Sequence, residues 1–262
     1  SLINVTNKLI PTFNFAGNLA LSLRKEGLKI TNKEDNTPVT NADIKINDIL
    51  IKNIKKLTPE IPIISEEISK NKNLKNLSTF WLIDPIDGTY DYINNRDEFT
   101  LNAALIINKK PELGIVNAPA KKRLFFTFGS ESREIRENKN FIKLTCAKKT
   151  KQNEVKAVAY SEKLKPSIAE FHKKFAVTEH KKMKSSLKFC VIAAGDYDLY
   201  VTEPRASEWD IAAGHAILKN AGGIVTDYEG NEIIYGKKDF KNPSLILRRG
   251  INLWWMKKLK LY

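Results

Sequence analysis

Residues 81–89 read WLIDPIDGT. The apolar run at 80–83 has the length and composition of a buried strand, and it delivers a carboxylate, Asp84, at its end. Pro85 fixes a turn, Asp87 follows, and Gly88 and Thr89 open a helix. Two acids at a strand end beside a helix N-terminus make a site with two faces. Carboxylate oxygens suit a hard divalent cation such as Mg²⁺, and free backbone N–H groups suit phosphate. A plainer description also fits, with Asp87 as a turn or capping residue and Asp84 as an exposed strand end.

Upstream, residues 2–25 read as a helix with a Lys-rich end, and TNKEDNTP (31–38) as a polar loop. In the segment 40–57, Ile46, Ile49, Leu50 and Ile54 form one apolar stripe of a second helix, with Thr40, Asn41 and Asp43 at its N-terminal end to satisfy free N–H groups. IPIIS (61–65) is a short strand. Downstream, TLNAALIIN (100–108) and LGIVNAP (113–119) form a hairpin joined near Lys109-Lys110-Pro111. RLFFTF (123–128) and VKAVAYS (155–161) are further strands, and helices follow at about 163–174, 185–194 and 208–221. Strands that cluster first and alternate with helices later predict an α+β half followed by an α/β half. The boundary falls near residue 147, giving an N-terminal lobe (1–146) and a C-terminal lobe (147–262) in one body without a flexible linker. The chain shows no internal repeat and no low-complexity tract.

Two more acidic motifs stand out. Ser65-Glu66-Glu67 closes the strand IPIIS; alone it reads first as solvated acids. In EWDIAAG (208–214), Trp209, Ala212 and Ala213 begin a buried helix face that Ala216 and Ile217 continue. Asp210 lies off that stripe in the first turn, where the helix dipole favours an acid without any further role.

The chain has 262 residues, 42% apolar and 28% charged, enough apolar side chain for a substantial core. No uncharged apolar run reaches membrane-spanning length. The first residues, SLINVTNKLI, lack the pattern of a signal peptide. Two cysteines give neither a disulfide framework nor a structural zinc site. The expectation is a cytoplasmic protein. The formal charge of +14 comes from 36 Lys and only eight Arg, scattered among Asn and Ile. Readers of nucleic acid concentrate Arg, so no specific nucleic-acid partner is expected. The basic field suits small polyanionic substrates instead. Against this trend, residues 60–98 hold eight acids and four bases, which asks for solvated loops or a bound cation. His172 and His180 fall in Lys-rich segments that read as surface, His215 in a packed helix, and Cys190 in a buried one. No histidine is placed as the base of a nucleophile, and no phosphate-binding Gly-rich loop is present.

Taken in order, SEE (65–67), WLIDPIDGT (81–89) and EWDIAAG (208–214) resemble the lithium-sensitive, Mg²⁺-dependent inositol monophosphatase superfamily. TPVTNAD (37–43), EFTLNAALI (98–106), SSLKFC (185–190) and AAGHA (212–216) bring the chain nearest to its 3′(2′),5′-bisphosphate nucleotidase branch, with likeness reaching Asn242-Pro243. The resemblance implies a layered αβαβα fold and two or three Mg²⁺ ions held by Glu66, Asp84, Asp87, Asp210 and the Ile86 carbonyl. It implies that Asp43 and Thr89 orient and deprotonate the attacking water, with Glu66 also catalytic. Gly88 and Thr89 would hold the scissile phosphate by their N–H groups, and Ser185 and Lys188 would contact the nucleotide. The implied reaction converts adenosine 3′,5′-bisphosphate to AMP and phosphate, which clears a by-product of sulfate assimilation. The alternatives are an inositol- or sugar-phosphate phosphatase with the same metal site, or a catalytically idle polyanion binder.

The sequence departs from that branch in three places. Tyr90-Asp91-Tyr92 stands where the branch has Lys-Glu-Phe. Pro204-Arg205 comes three positions later than the branch's Pro-Arg pair, so that arginine's role does not transfer to Arg205 by sequence. Beyond Pro243 the chain runs on with Trp254, Trp255 and Met256 among Arg and Lys. That composition reads first as a last strand and helix docked on the body, with a peripheral contact with the inner face of a membrane as the alternative.

Overall fold

The structure is a computed structural model and describes residues 1–68, 76–137, 141–146 and 154–250. The expected boundary near residue 147 and the segment around Trp254 lie outside these residues. The chain opens with α1 (Leu2–Glu26), a small hairpin of β1 (Ile30–Asn32) and β2 (Pro38–Thr40), and α2 (Asn41–Leu57). Then come β3 (Ile63–Ser65), β4 (Phe80–Asp87) and the short α3 (Thr89–Ile93). An antiparallel run follows: β5 (Thr100–Ile107), β6 (Lys110–Ala118), β7 (Arg123–Phe128), β8 (Glu131–Arg136) and β9 (Ile142–Leu144). The second half contains β10 (Val155–Ala159), α4 (Pro166–Lys174), β11 (Val177–Lys182), α5 (Leu187–Ala193), β12 (Leu199–Thr202), α6 (Glu208–Asn220), β13 (Ile224–Thr226) and β14 (Leu245–Arg248).

Two sheets result. The first has seven strands in the order β3-β4-β5-β6-β7-β8-β9, and the second has five in the order β11-β10-β12-β14-β13. Side-chain alternation sorts them into layers. Trp81, Ile83, Ala103 and Phe126 face α1 and α2 in one apolar cluster with Leu9, Phe13, Ile46 and Leu50. Phe80, Leu82, Ala104 and Phe125 face the other way, onto α5 and α6. The same cluster takes Val158, Tyr200 and Leu247 from the second sheet. Their sequence neighbours Ala157, Val201 and Ile246 point outward, where Ile168 and Phe171 of α4 cover them. The order is helices, sheet, helices, sheet, helix, which is the αβαβα layering expected.

Three local differences have physical causes. TNKEDNTP holds most of a hairpin, with Ile30 paired to Thr40 and Asn32 to Pro38. Its β1 strand is wholly exposed and carries no apolar alternation to read. The strand β8 buries Ser132 and Glu134, so its inward face is polar and invisible to a hydrophobic pattern. Arg123 and Arg136 pair with that buried Glu134. His172 is buried instead of lying on the surface, its ring edge-on to His180 at 5.6 Å.

The central helix layer depends on close approach. A Cβ on Gly114 of β6 would lie 2.3 Å from the Ala213 carbonyl of α6, and one on Gly214 would lie 2.5 Å from Phe189 of α5. Both positions admit hydrogen only. Gly114→Ala is therefore expected to cost about 1–3 kcal/mol by overpacking, which lowers Tm by roughly 2–4 °C per kcal/mol for a chain of this size. A thermal melt checks it, and an unchanged Tm would mean that α6 can move off the sheet freely.

Candidate active site

In a regular strand, residues three apart face opposite sides of the sheet. Asp84 and Asp87 would then be separated. The pairing between β4 and β5 prevents this. Asp84 is opposite Asn102 and Asp87 is opposite Thr100, so three steps on β4 span two on β5. The extra residue is a bulge, and it restores the parity. Ile86 passes to the α1/α2 side, where it is buried, and both acids keep the side of α6. β4 therefore runs on through Pro85 to Asp87, where a turn after Asp84 was expected.

β3 pairs in parallel with β4, and the Glu66 N–H donates to the Ile83 carbonyl at 3.1 Å, which extends the pairing one residue and sets Glu66 next to Asp84. Asp210 is the third residue of α6. Its Oδ2 accepts the Ser207 N–H at 2.7 Å, so it does cap the helix. It also contributes an oxygen to a second purpose: one oxygen each from Glu66, Asp84 and Asp210 lie within 4.8 Å of one another. Asp84 Oδ1 is buried there without a hydrogen-bond partner. An orphaned carboxylate oxygen among two others is the donor set a hard divalent cation takes.

The electrostatics agree. Burial first, then the charges of Glu66, Asp87 and Asp210, push the Asp84 carboxyl well above the ordinary range. Burial, followed by Asp87 and Glu66, raises Asp210 to about 8. Burial raises Asp87 as well, against the opposing pull of Lys188 and of the Ser186 hydrogen bonds. Lys33, at the tip of the β1–β2 hairpin, donates to Glu66 Oε1 at 2.8 Å and Glu67 Oε1 at 2.7 Å. Burial works against its charge, but the two glutamates outweigh this and hold the ammonium above its ordinary value.

Asp87 stands beside the three-acid point but turns one oxygen away. Its Oδ2 accepts the Ser186 N–H at 2.6 Å. Ser186 Oγ lies 3.1 Å from the same oxygen and 2.5 Å from the Asp210 carbonyl, and it accepts from Asn102 Nδ2 at 2.9 Å. One serine thus ties β4, β5 and α6 together. Neither Ser186 nor Lys33 was a candidate from sequence, and the doubled serine of SSLK was the one available signal.

On the other flank, Thr89 Oγ1 lies 3.3 Å from Asp43 Oδ1 and 3.1 Å from the Ile86 carbonyl. Asp43 Oδ2 accepts from Thr40 N–H at 2.8 Å and Thr40 Oγ1 at 2.6 Å, which caps α2 and fixes the carboxylate. Burial lifts the Asp43 pKa, and the Thr40 hydrogen bonds oppose it. Gly88 precedes α3 with φ 89°, a left-handed backbone, and a Cβ there would meet the Glu98 carbonyl at 3.2 Å. Ser185 is buried, also with positive φ, and its carbonyl accepts from the buried Lys188 Nζ at 2.6 Å. Glu66, Asp84 and Asp210 thus meet at one point, Asp87, Ser185 and Lys188 line a cavity that Asp210 also lines, and Asp43 and Thr89 meet at the N-terminus of α2.

The profile of the inositol monophosphatase family matches residues 4–257. The 3′(2′),5′-bisphosphate nucleotidase CysQ of Salmonella typhimurium is 34% identical over 219 residues, 83% of this chain and 87% of that protein. The CysQ of Buchnera aphidicola is 35% identical over 79% of this chain and 78% of its own length. Among solved structures, CysQ from Bacteroides thetaiotaomicron, a bacterial member of the inositol monophosphatase family, superposes with a TM-score of 0.72 at 29% identity. It covers 94% of this chain and 96% of that one.

Two outcomes follow for protein stripped of divalent metal. At pH 8.5, above the Asp210 value of about 8, Asp84→Asn lowers the charge the cluster must carry and is expected to stabilise the metal-free fold by about 1–3 kcal/mol, read as a higher Tm. A lower Tm would mean that Asp84 is not repelled there. The second concerns pH. A carboxyl whose folded pKa is raised binds its proton more tightly when folded, so its stabilisation is complete below the unfolded value of 3.8 and is lost as pH climbs through about 8. Metal-free protein should therefore melt lower at pH 8.5 than at pH 5.5, and added Mg²⁺, which needs deprotonated carboxylates, should narrow the gap. A Tm that rises over that interval would contradict the cluster's electrostatics.

Proposed function

The chain belongs to the inositol monophosphatase family, and from that premise we propose that it is a Mg²⁺-dependent 3′(2′),5′-bisphosphate nucleotidase. Its reaction removes the 3′-phosphate of adenosine 3′,5′-bisphosphate to leave AMP and phosphate. The observation that carries this reading is the meeting of Glu66, Asp84 and Asp210 around an orphaned Asp84 oxygen, in a chain about a third identical to proteins named CysQ.

Glu66, Asp84, Asp87, Asp210 and the Ile86 carbonyl would hold two or three ions. Bound divalent cations supply charge neutralisation, activation of water and stabilisation of the leaving oxygen. The chain's own groups do the positioning. Thr89 Oγ1 orients the attacking water and passes its proton to Asp43 Oδ1, the oxygen that Thr40 leaves available. A raised pKa suits Asp43 to that role, since a base nearer neutrality accepts a proton more readily. Glu66 shares the catalytic duty on the opposite side. The N–H groups of Gly88 and Thr89 cradle the scissile phosphate, and Ser185 and Lys188 contact the nucleotide. The lobe 1–146 thus supplies most metal ligands, and 147–262 supplies Asp210 and the nucleotide contacts.

Li⁺ inhibition belongs to the same reading, as does 3′-phosphoadenylyl sulfate as a second substrate. Among the described residues no helix is long and apolar enough to cross a membrane; the proposed setting is the cytoplasm, where the reaction clears a by-product of sulfate assimilation.

Phosphate release from adenosine 3′,5′-bisphosphate and from inositol monophosphate, with and without Mg²⁺ and Li⁺, tests the assignment. The expected result is Mg²⁺-dependent, Li⁺-sensitive preference for the nucleotide; preference for inositol phosphate would replace it with the family's other activity. Asp43→Asn should lower kcat by about 10²–10⁴-fold while the metal-induced rise in Tm persists. Near-normal kcat in that variant would remove Asp43 from the proton path.

A further inference from the structure

β5 reads TLNAALII, and the next residue after Asn102 on the face toward α5 and α6 is Ala104. Asn102 is fully buried. Strands disfavour asparagine, and an interior amide costs free energy unless its groups are used. In the β4–β5 ladder Asn102 stands directly opposite Asp84, so the two side chains share a face.

The use of the amide follows from proton bookkeeping at Ser186, which is buried beside it. A serine has one hydroxyl proton. Ser186 Oγ lies 2.5 Å from the Asp210 carbonyl, and two oxygens that close need the proton between them. The hydroxyl is therefore spent on α6, and its oxygen is left to accept. Asn102 Nδ2 fills that need at 2.9 Å. Asp87 Oδ2, 3.1 Å from the same Oγ, is held instead by the Ser186 N–H at 2.6 Å. One residue thus grips a carboxylate on β4 and the carbonyl of the residue that carries the carboxylate on α6. Asn102 sets the orientation of that residue from the strand between them. Its Oδ1 is buried without a hydrogen-bond partner, as is Asp84 Oδ1. Both are acceptors, so neither satisfies the other.

We propose that Asn102 is a positioning residue of the metal centre: by donating to Ser186 it presents the Asp87 and Asp210 carboxylates to a divalent cation as a fixed set. The inference rests on the metal-dependent phosphatase reading above and adds a residue that acts through Ser186 and not by ligation.

Mn²⁺ binding to metal-stripped protein, read from the electron paramagnetic resonance of the free ion, is compared in wild type, Asn102→Ala, Asn102→Leu, Ser186→Ala and the double variant Asn102→Ala/Ser186→Ala. All replacements are neutral, so the charge of the cluster is unchanged, and Asn102→Leu also keeps the side-chain volume near its original value. Each single variant should bind Mn²⁺ about ten- to a hundredfold more weakly, with a cooperative metal-free melt to show that it is folded. The double variant should bind no more weakly than Ser186→Ala alone, because the two residues act in series. Unchanged Mn²⁺ affinity in folded Asn102 variants, with a lower metal-free Tm as the sole effect, makes the amide merely structural and overturns the proposal. Losses that add in the double variant overturn it as well. If neither Asn102 variant folds, Ser186→Ala decides: the same fall in affinity upholds the relay, and an unchanged affinity overturns it. Wild type that binds no Mn²⁺ overturns this inference together with the metal-dependent reading, which every other outcome leaves standing.

Discussion

Like charges do not gather in a protein interior without a counter-ion. Oxygens of Glu66, Asp84 and Asp210 lie within 4.8 Å of one another. Two full charges at that separation repel by at least about 3 kcal/mol at an effective dielectric near 20. Proteins keep such a cluster where a cation occupies it or where some of the acids hold protons. Lys33 meets part of the demand from the β1–β2 hairpin, through Glu66 and Glu67. Asp84 receives no such partner at Oδ1. That one unpartnered atom marks the cluster as a candidate cation site more directly than any motif does.

The architecture is arranged to hold this unfavourable cluster together. Glu66 comes from an edge strand in parallel register, Asp84 and Asp87 from a bulged neighbour, and Asp210 from a helix packed between the two sheets. Three acids of the site are also tied to the backbone scaffold. Asp210 caps α6 through Ser207, Asp87 accepts from Ser186, and Asp43 caps α2 through Thr40. Asp210 and Asp43 thus each cap a helix through Oδ2. Gly114 and Gly214 matter at a distance, since without their close contacts α6 could not bring Asp210 up to β4.

Much of this was legible in residues 80–89, where a buried apolar run ends in two acids beside a helix start. The helices at 40–57 and 208–221 could be read because their apolar stripes repeat at helical spacing. What stayed hidden depends on contacts between distant segments. The β1 strand lacks a buried face, and β8 buries polar groups, so neither offers a period to detect. Ser186 meets Asp87 across ninety-nine positions, and Lys33 meets Glu66 across thirty-three. Arg205 is instructive in the opposite direction. Its shifted position did not let the branch's arginine role be carried over by sequence, while the fold sets Arg205 in the lining of the cavity that Asp87 and Asp210 also line.

The most direct measurement is anomalous diffraction from crystals soaked in Mn²⁺, a close substitute for Mg²⁺ at oxygen sites. The expected result is a peak about 2 Å from one oxygen each of Glu66, Asp84 and Asp210. A map with no peak at that point, or with Mn²⁺ bound only at other acids, would contradict the metal centre and with it the phosphatase chemistry.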